Sequence, residues 1–163
     1  MSKLEICWIL LFNLFGNNPD QLSQGYTKKI INNIYPKLQT CTQVYKEAEK
    51  QYVDPLLAIS VAYHESRFKN VSSNKGAKGP LGVIPKYHCP KNKKCNYIEA
   101  GISALKKFLE LNQYDQCKTL AQYNRGLNGK CLPGRPEYKY AQNIINLYNS
   151  IYNMEHCKHE TEC

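Results

Sequence analysis

Residues 66–98 contain no Asp and no Glu, although they carry eight Lys or Arg. Glu65, which directly precedes this segment, is therefore an isolated carboxylate at the edge of a basic stretch. The glycines that follow, Gly76, Gly79 and Gly82, give the backbone the freedom to fit closely around a ligand. The pattern indicates chemistry that depends on one acid, with Glu65 as the candidate proton donor.

The chain also lacks the motifs that would assign its positive charge to a nucleic-acid partner. The formal net charge is +9 and the pI is about 9.1. Such a charge favours acidic partners in general, including nucleic acid, anionic lipid and cell-wall polymers. However, the basic residues are scattered, and there is no P-loop, zinc finger or RNP-like string. We therefore expect no nucleic-acid partner, and binding through the basic loop remains a minor alternative.

Internal repeats and low-complexity tracts are absent from the 163 residues, and only residues 81–84 have a strand-like character. The length suits one domain with a buried core. Apolar residues recur at helical spacing, which predicts a mainly α fold. Helices are predicted at residues 36–52, 55–65, 98–109, 115–123 and 136–152.

The helix that ends at Glu65 has the clearest signals. Asp54 is placed to cap it and Pro55 suits its first turn. The helix is apolar on nearly all sides, which predicts a buried core helix. Burial and the negative end of the helix dipole would both raise the pKa of Glu65, as a general acid requires.

Eight cysteines are unusual for a chain of this size in a reducing cytosol, so an oxidising compartment and several disulfides are predicted. Short loops favour pairing Cys89 with Cys95, Cys117 with Cys131, and Cys157 with Cys163, although sequence does not fix connectivity. Cys7 is expected to belong to a leader. That would leave an odd number in the mature chain, with one thiol free or intermolecular.

Residues 1–18 are interpreted as a candidate signal peptide, because a short basic start precedes an apolar run at residues 6–15. The run is too short to span a bilayer comfortably. Glu5, Asn13 and the missing small-x-small site near Gly16 leave two alternatives: an interfacial anchor with membrane contact, or a buried N-terminal helix. We expect an exported protein. The remaining divisions are a connector at 19–35 with a short helix around 28–34, a domain at 36–154 and a Cys/His tail at 155–163.

The tail raises the question of a metal site, because it contains His156, Cys157, His159 and Cys163. It lacks a second matching pair of ligands at finger-like spacing, although His88, Cys89 and Cys95 could supply one in space. Disulfides explain the same residues more simply. We therefore expect no metal and no cofactor.

Two segments resemble the lytic transglycosylase domain of the soluble lytic transglycosylase type, which is related in fold to goose-type lysozyme. The first matches the family's core motif in both residues and spacing: Glu65-Ser66-x-Phe68, Ser73 and Gly76-Ala77-x-Gly79. The second, residues 121–126, is similar to the family's Ala-Tyr-Asn-Ala-Gly segment. Tyr140 stands where the family places a late helix with an active-site Tyr. The match covers roughly residues 53–152.

The resemblance implies a lysozyme-like single domain with a Gly-rich loop or short β element next to the active site. It implies cleavage of the bond between N-acetylmuramic acid and N-acetylglucosamine in peptidoglycan, with Glu65 as acid and then base and a 1,6-anhydro product. Ser73 would hydrogen-bond the sugar N-acetyl group or the catalytic carboxyl, unless it only forms a turn. The residues expected to bind substrate are Ser73, Gly79, Leu81, Tyr123, Asn124 and Tyr140.

Two departures keep alternatives open. Leu81-Gly82 stands where the family usually has Met-Gln, so an amide is missing, and Glu137 and Tyr140 lie one residue too close to each other. A hydrolytic, goose-type lysozyme would use a second carboxylate, for which Asp54, Glu99, Asp115 and Glu137 are available. A non-catalytic wall-binding component is the other alternative. By family analogy, the expected partners are peptidoglycan strands and a secretion, conjugation or phage apparatus.

Overall fold

Helices form where apolar residues recur at helical spacing. The computed structural model describes residues 2–15, 27–70 and 72–156, and within these ranges the fold is mainly α, as predicted. A single 3-10 turn, Gly126–Asn128, follows the sixth helix. The helices are α1 Lys3–Phe15, α2 Thr27–Lys50, α3 Pro55–Ser66, α4 Pro85–His88, α5 Tyr97–Leu111, α6 Gln116–Arg125 and α7 Pro136–His156.

Helix α3 is the central element, packed between α2 and α7. Its start was predicted correctly: the Asp54 carboxylate accepts hydrogen bonds from the amides of Leu56 (2.8 Å) and Leu57 (3.4 Å), and Pro55 occupies the first turn. Seven consecutive residues from Leu56 to Ala62 are buried. Because the helix is buried on nearly every side, its C-terminal end holds Glu65 firmly at the edge of the core.

The segment after α3 folds back sharply instead of forming a sheet. Arg67 and Phe68 both have positive φ (57° and 59°), and the Phe68 side chain is buried. Further on, Lys78 forms isolated antiparallel bridges with Ser72 and with Val83. The strand-like run at 81–84 therefore contributes one bridge at Val83, next to the Gly-rich loop, and no extended strand.

The short helix predicted around residues 28–34 is present, but it is continuous with the helix predicted to start at Pro36. Helix α2 runs without a break from Thr27 to Lys50 and includes Pro36, where a helix start had been predicted. Proline lacks an amide hydrogen, so α2 loses one backbone hydrogen bond there. The helix continues because its following turns are packed in the core, where Cys41, Val44 and Ala48 are fully buried.

Three disulfides cross-link the described cysteines. Cys89–Cys95 and Cys117–Cys131 are the short-loop pairs that were predicted. The third bridge joins Cys7, which was expected to belong to a leader, to Cys41 in α2. The predicted partners Cys157 and Cys163 lie outside the described residues.

The Cys7–Cys41 bridge ties α1 to α2, and one face of α1 belongs to the core. Ile6, Leu10 and Leu11 are each at most 2% exposed, which agrees with the buried-helix alternative for this part of the chain. None of the helices among the described residues combines the length and the apolar character needed to cross a bilayer.

We expect the Cys7–Cys41 bridge to stabilise the fold more than Cys89–Cys95. In the chain-entropy account, a bridge with a sequence separation of 34 constrains the unfolded chain by about 4 kcal/mol, and one with a separation of 6 by about 2 kcal/mol. Urea unfolding without reductant should give a lower free energy of unfolding for C7S/C41S than for C89S/C95S. The reverse order would contradict this account.

Candidate active site

The carboxyl group of Glu65 is held by a tyrosine from the far end of the chain. Tyr140, on α7, donates a hydrogen bond from its hydroxyl to Oε1 of Glu65 at 2.5 Å. Glu65 is half-buried and Tyr140 is buried. Burial raises the pKa of Glu65, and the hydrogen bond from Tyr140 opposes this by a smaller amount. The site therefore contains a carboxyl group that retains its proton more readily than an exposed Glu.

The other carboxyl oxygen, Oε2, lies against the backbone at Gly82. A Cβ atom built on Gly82 would be 2.7 Å from Oε2, which is too close for any real contact, and Gly82 has a positive φ of 64°. Glycine is therefore required here for the observed position of Glu65. A Gln side chain at position 82 would displace the carboxyl group.

The loop that carries Gly82 is fixed to the surrounding helices by two hydroxyl groups. Ser66, buried at the end of α3, lies 2.9 Å from the carbonyl of Pro80 and 3.1 Å from that of Ala62. Tyr123, on α6, donates to the carbonyl of Leu81 at 2.8 Å. Burial first, and then the charge of Glu65, raise the pKa of Tyr123 well above its ordinary range. These contacts hold the loop in place against Glu65.

Two residues predicted to bind substrate, Leu81 and Gly79, are packed inside the protein. The Leu81 side chain is fully buried and packs against α5 at Gly101, where an added Cβ would lie 2.6 Å from the Leu81 Cβ. Gly79 is buried against Tyr97, where an added Cβ would be 2.5 Å from the Tyr97 Cβ. Leu81 therefore cannot offer its side chain to a ligand, and Gly79 serves the close packing of the loop on α5.

Ser73 and Asn124 do not contact Glu65 among the described interactions. The Ser73 hydroxyl accepts a hydrogen bond from the amide of Ala77 at 3.0 Å, which is the turn-forming alternative. Asn124 is exposed in the last turn of α6. The predicted contacts of both side chains with a sugar stay predictions.

The four carboxylates proposed as second catalytic groups are engaged elsewhere or lie far away. Asp54 caps the opposite end of α3, about 16 Å along the helix from Glu65, beyond the roughly 6.5–9.5 Å that an inverting pair needs. Asp115 caps α6 through the amide of Lys118, and Glu99 is exposed on α5. Neither of them contacts Glu65 among the described interactions.

Glu137 is buried on α7, one turn before Tyr140. Its carboxylate accepts a hydrogen bond from the amide of Lys130 at 3.4 Å. Its own backbone amide is the largest cause of a lowered pKa, and the Lys130 amide adds to it. Glu137 is therefore an ionised group that holds the loop before α7, and its environment is opposite to that of Glu65.

His64 was not identified from the sequence. It is half-buried beside Glu65, and its ring meets the Tyr140 ring edge to face, with centroids 4.9 Å apart. Burial, and then the charge of Arg67, lower its pKa, so the neutral imidazole is favoured. A single His on a core helix gives no signal in a sequence, because most such residues only pack.

Comparison with protein-family models, with curated proteins and with solved structures found no match for this chain. Within the described part of the chain, no group of three or more His, Cys, Asp or Glu is arranged to hold a metal ion. Glu65 and its immediate neighbours supply the chemistry available at this site.

The raised pKa of Glu65 predicts a pH-dependent stability. A carboxyl whose folded pKa exceeds its unfolded value, ordinarily 4.5, binds its proton more tightly in the folded protein. The free energy of unfolding therefore falls as pH rises from the unfolded pKa to the folded pKa. Glu65→Gln keeps an acceptor for Tyr140 but does not titrate. We expect urea unfolding to show this variant gaining stability over the wild type as pH rises above about 4.5.

Asp115→Asn is the matched control, because the amide of Lys118 lowers the pKa of Asp115. The stability contributed by Asp115 is present above its unfolded pKa and is lost on acidification. This variant should therefore lose stability relative to the wild type as pH rises towards the unfolded pKa of 3.8, and the difference should stay constant above about pH 5. A pH trend of the same sign in both variants would show that the Glu65 environment has been misjudged.

Proposed function

We propose that the protein is a peptidoglycan lytic transglycosylase that cleaves the bond between N-acetylmuramic acid and N-acetylglucosamine, with Glu65 as its single catalytic carboxyl. The observation that carries the proposal is the setting of Glu65: half-buried, with a raised pKa, and bonded to Tyr140. A general acid near neutral pH needs such a raised pKa. The motif resemblance in residues 65–79 supports the choice of substrate.

In the proposed reaction, protonated Glu65 donates its proton to the glycosidic oxygen, and the bond from that oxygen to C1 of the muramoyl residue breaks. The Tyr140 hydroxyl stabilises the carboxylate that results, since its hydrogen bond favours the charged form. Glu65 then accepts the proton of the muramoyl 6-hydroxyl while the 6-hydroxyl oxygen bonds to C1. The acid is regenerated, the 1,6-anhydro ring closes and no water is consumed.

The arrangement of carboxylates favours this reaction over hydrolysis. A two-carboxylate glycosidase holds its carboxyl groups roughly 5–9.5 Å apart. Among the described residues, Asp54 is too distant and Glu137 is occupied by backbone amides. An intramolecular hydroxyl nucleophile needs no second carboxylate to position water. The goose-type hydrolase and the non-catalytic wall-binding component are the alternatives that the experiments below separate.

The three disulfides fit an oxidising, exported environment, in which a wall-degrading enzyme would act. We include in the proposal that the protein is periplasmic, in the cell envelope, secreted or phage-delivered, and that it serves a secretion, conjugation or phage apparatus. Leu4 and Trp8 are exposed one turn apart on α1, which supports the proposed N-terminal membrane contact.

Digestion of purified peptidoglycan, followed by mass spectrometry, tests the proposal directly. We expect muropeptides with the 1,6-anhydro mass, which is one water less than the hydrolytic product. Glu65→Gln should reduce the yield at least about a thousandfold, because one residue serves as both acid and base. Products that carry the added water would establish the hydrolase instead. Undiminished release by E65Q would remove Glu65 from the mechanism.

Gly82→Ala tests the position of the carboxyl group. The new Cβ would press on Oε2 of Glu65, and a displacement of about 1 Å can cost on the order of a hundredfold in rate. Gly76→Ala is the control, because Gly76 also has a positive φ but has nothing within 4 Å of an added Cβ. We expect similar melting temperatures and a much slower G82A enzyme. Equal rates for the two variants would contradict the role given to Gly82.

A further inference from the structure

A loop closed by the Cys89–Cys95 disulfide carries a dense cluster of positive charge. Lys91, Lys93 and Lys94 are three of the five residues between the bridged cysteines, and all three are exposed. We call residues 89–95 the cationic loop. The disulfide, with Cα atoms 5.4 Å apart, keeps the lysines close together despite their mutual repulsion.

Among the described residues, no carboxylate forms an ion pair with the cations of residues 66–98. Residues 66–98 contain no Asp or Glu, and the ion pairs among the described residues involve Lys3, Lys50, Lys106 and Lys118. Burial, and then the charge of Lys107 on α5, lower the pKa of His88 immediately before the loop, so Lys107 adds positive charge beside that end of the loop. An uncompensated cluster of this kind attracts anions.

Both ends of the cationic loop are connected to residues 79–82, the segment that lies against Glu65. On one side, Gly82 touches Glu65, and α4 begins three residues later at Pro85. On the other side, Tyr97, two residues beyond the bridge, packs against Gly79. Cys89 is seven positions after Gly82, so the bridge lies at most about 24 Å from the candidate catalytic site. A polymer bound at Glu65 and longer than this distance can therefore reach the lysines.

We propose that the cationic loop binds the carboxylates of the peptide stems that peptidoglycan strands carry on their muramoyl residues. This proposal rests on the proposed function for the identity of the polymer. A strand held at Glu65 brings its own peptide stems to the loop. A separate phosphate polymer would have to bind the loop independently of the strand. Lysine ammonium groups on flexible side chains suit such mobile carboxylates, because they require no fixed bidentate geometry.

The loop thereby makes the enzyme selective for peptide-bearing strands over strands stripped of their peptides. The attraction acts between exposed charges, so it weakens as salt is added. Each such pair contributes modestly, and three together amount to about a tenfold effect on the dissociation constant.

The test uses the E65Q background, so that binding is measured without digestion, and K91Q/K93Q/K94Q as the loop variant. The matched control is K50Q/K106Q/K118Q, which removes the same charge from lysines paired with carboxylates. We expect the loop variant to bind peptide-bearing sacculi about tenfold more weakly at low salt. The control variant should bind like the parent. On amidase-stripped strands, all three proteins should bind alike.

An equal loss for the loop and control variants, or an equal loss on stripped strands, would overturn the proposal. So would a loss of loop-dependent binding after hydrofluoric acid removes phosphate polymers from the wall, since the ligand would then be a phosphodiester. The anhydro mass of the products from the wild-type enzyme tests the catalytic role of Glu65 separately. Loop-dependent binding without that product would reject the transglycosylase and keep the loop, and the product without such binding would do the opposite.

Discussion

The burial of one carboxyl group sets the requirements for the rest of the site. Taking Glu65 partly out of water is unfavourable, and a single hydrogen bond, from Tyr140, offsets part of that penalty. For the group to stay there, α3 must be a rigid core helix, α7 must deliver a hydroxyl to it, and the neighbouring loop must have no side chain at position 82. Each of these conditions comes from a different part of the chain, so the site exists only in the complete fold.

The sequence predicted those features whose signals are local. The caps Asp54, Asn96 and Asp115 each act on amides two or three residues away, so the starts of α3, α5 and α6 could be located from neighbouring residues alone. The path of α2 through Pro36 could not be predicted from neighbouring residues. Its continuation depends on packing against α1, and the Cys7–Cys41 bridge that joins the two helices is set by their contact in space.

The candidate site also combines features that the sequence predicts with features that only the fold determines. Glu65 and Tyr140 were both singled out, although the contact between them spans 75 residues and only the fold reveals it. Leu81 and Gly79 were assigned to substrate because a motif does not distinguish residues that touch a ligand from residues that support those that do. Ser66 lies inside the same motif, yet its hydroxyl serves the loop carbonyl of Pro80. A short motif marks a location, and burial then decides the role of each member.

The bridge between α1 and α2 also has a consequence for processing of the chain. Residues 16–26 connect the two helices, and the Cys7–Cys41 bond joins them independently of that connection. A peptidase that cut within the connection after the bond had formed would produce two polypeptides that remain one covalent molecule. Gel electrophoresis would then show a full-length band without reductant, and reductant would release the short N-terminal fragment.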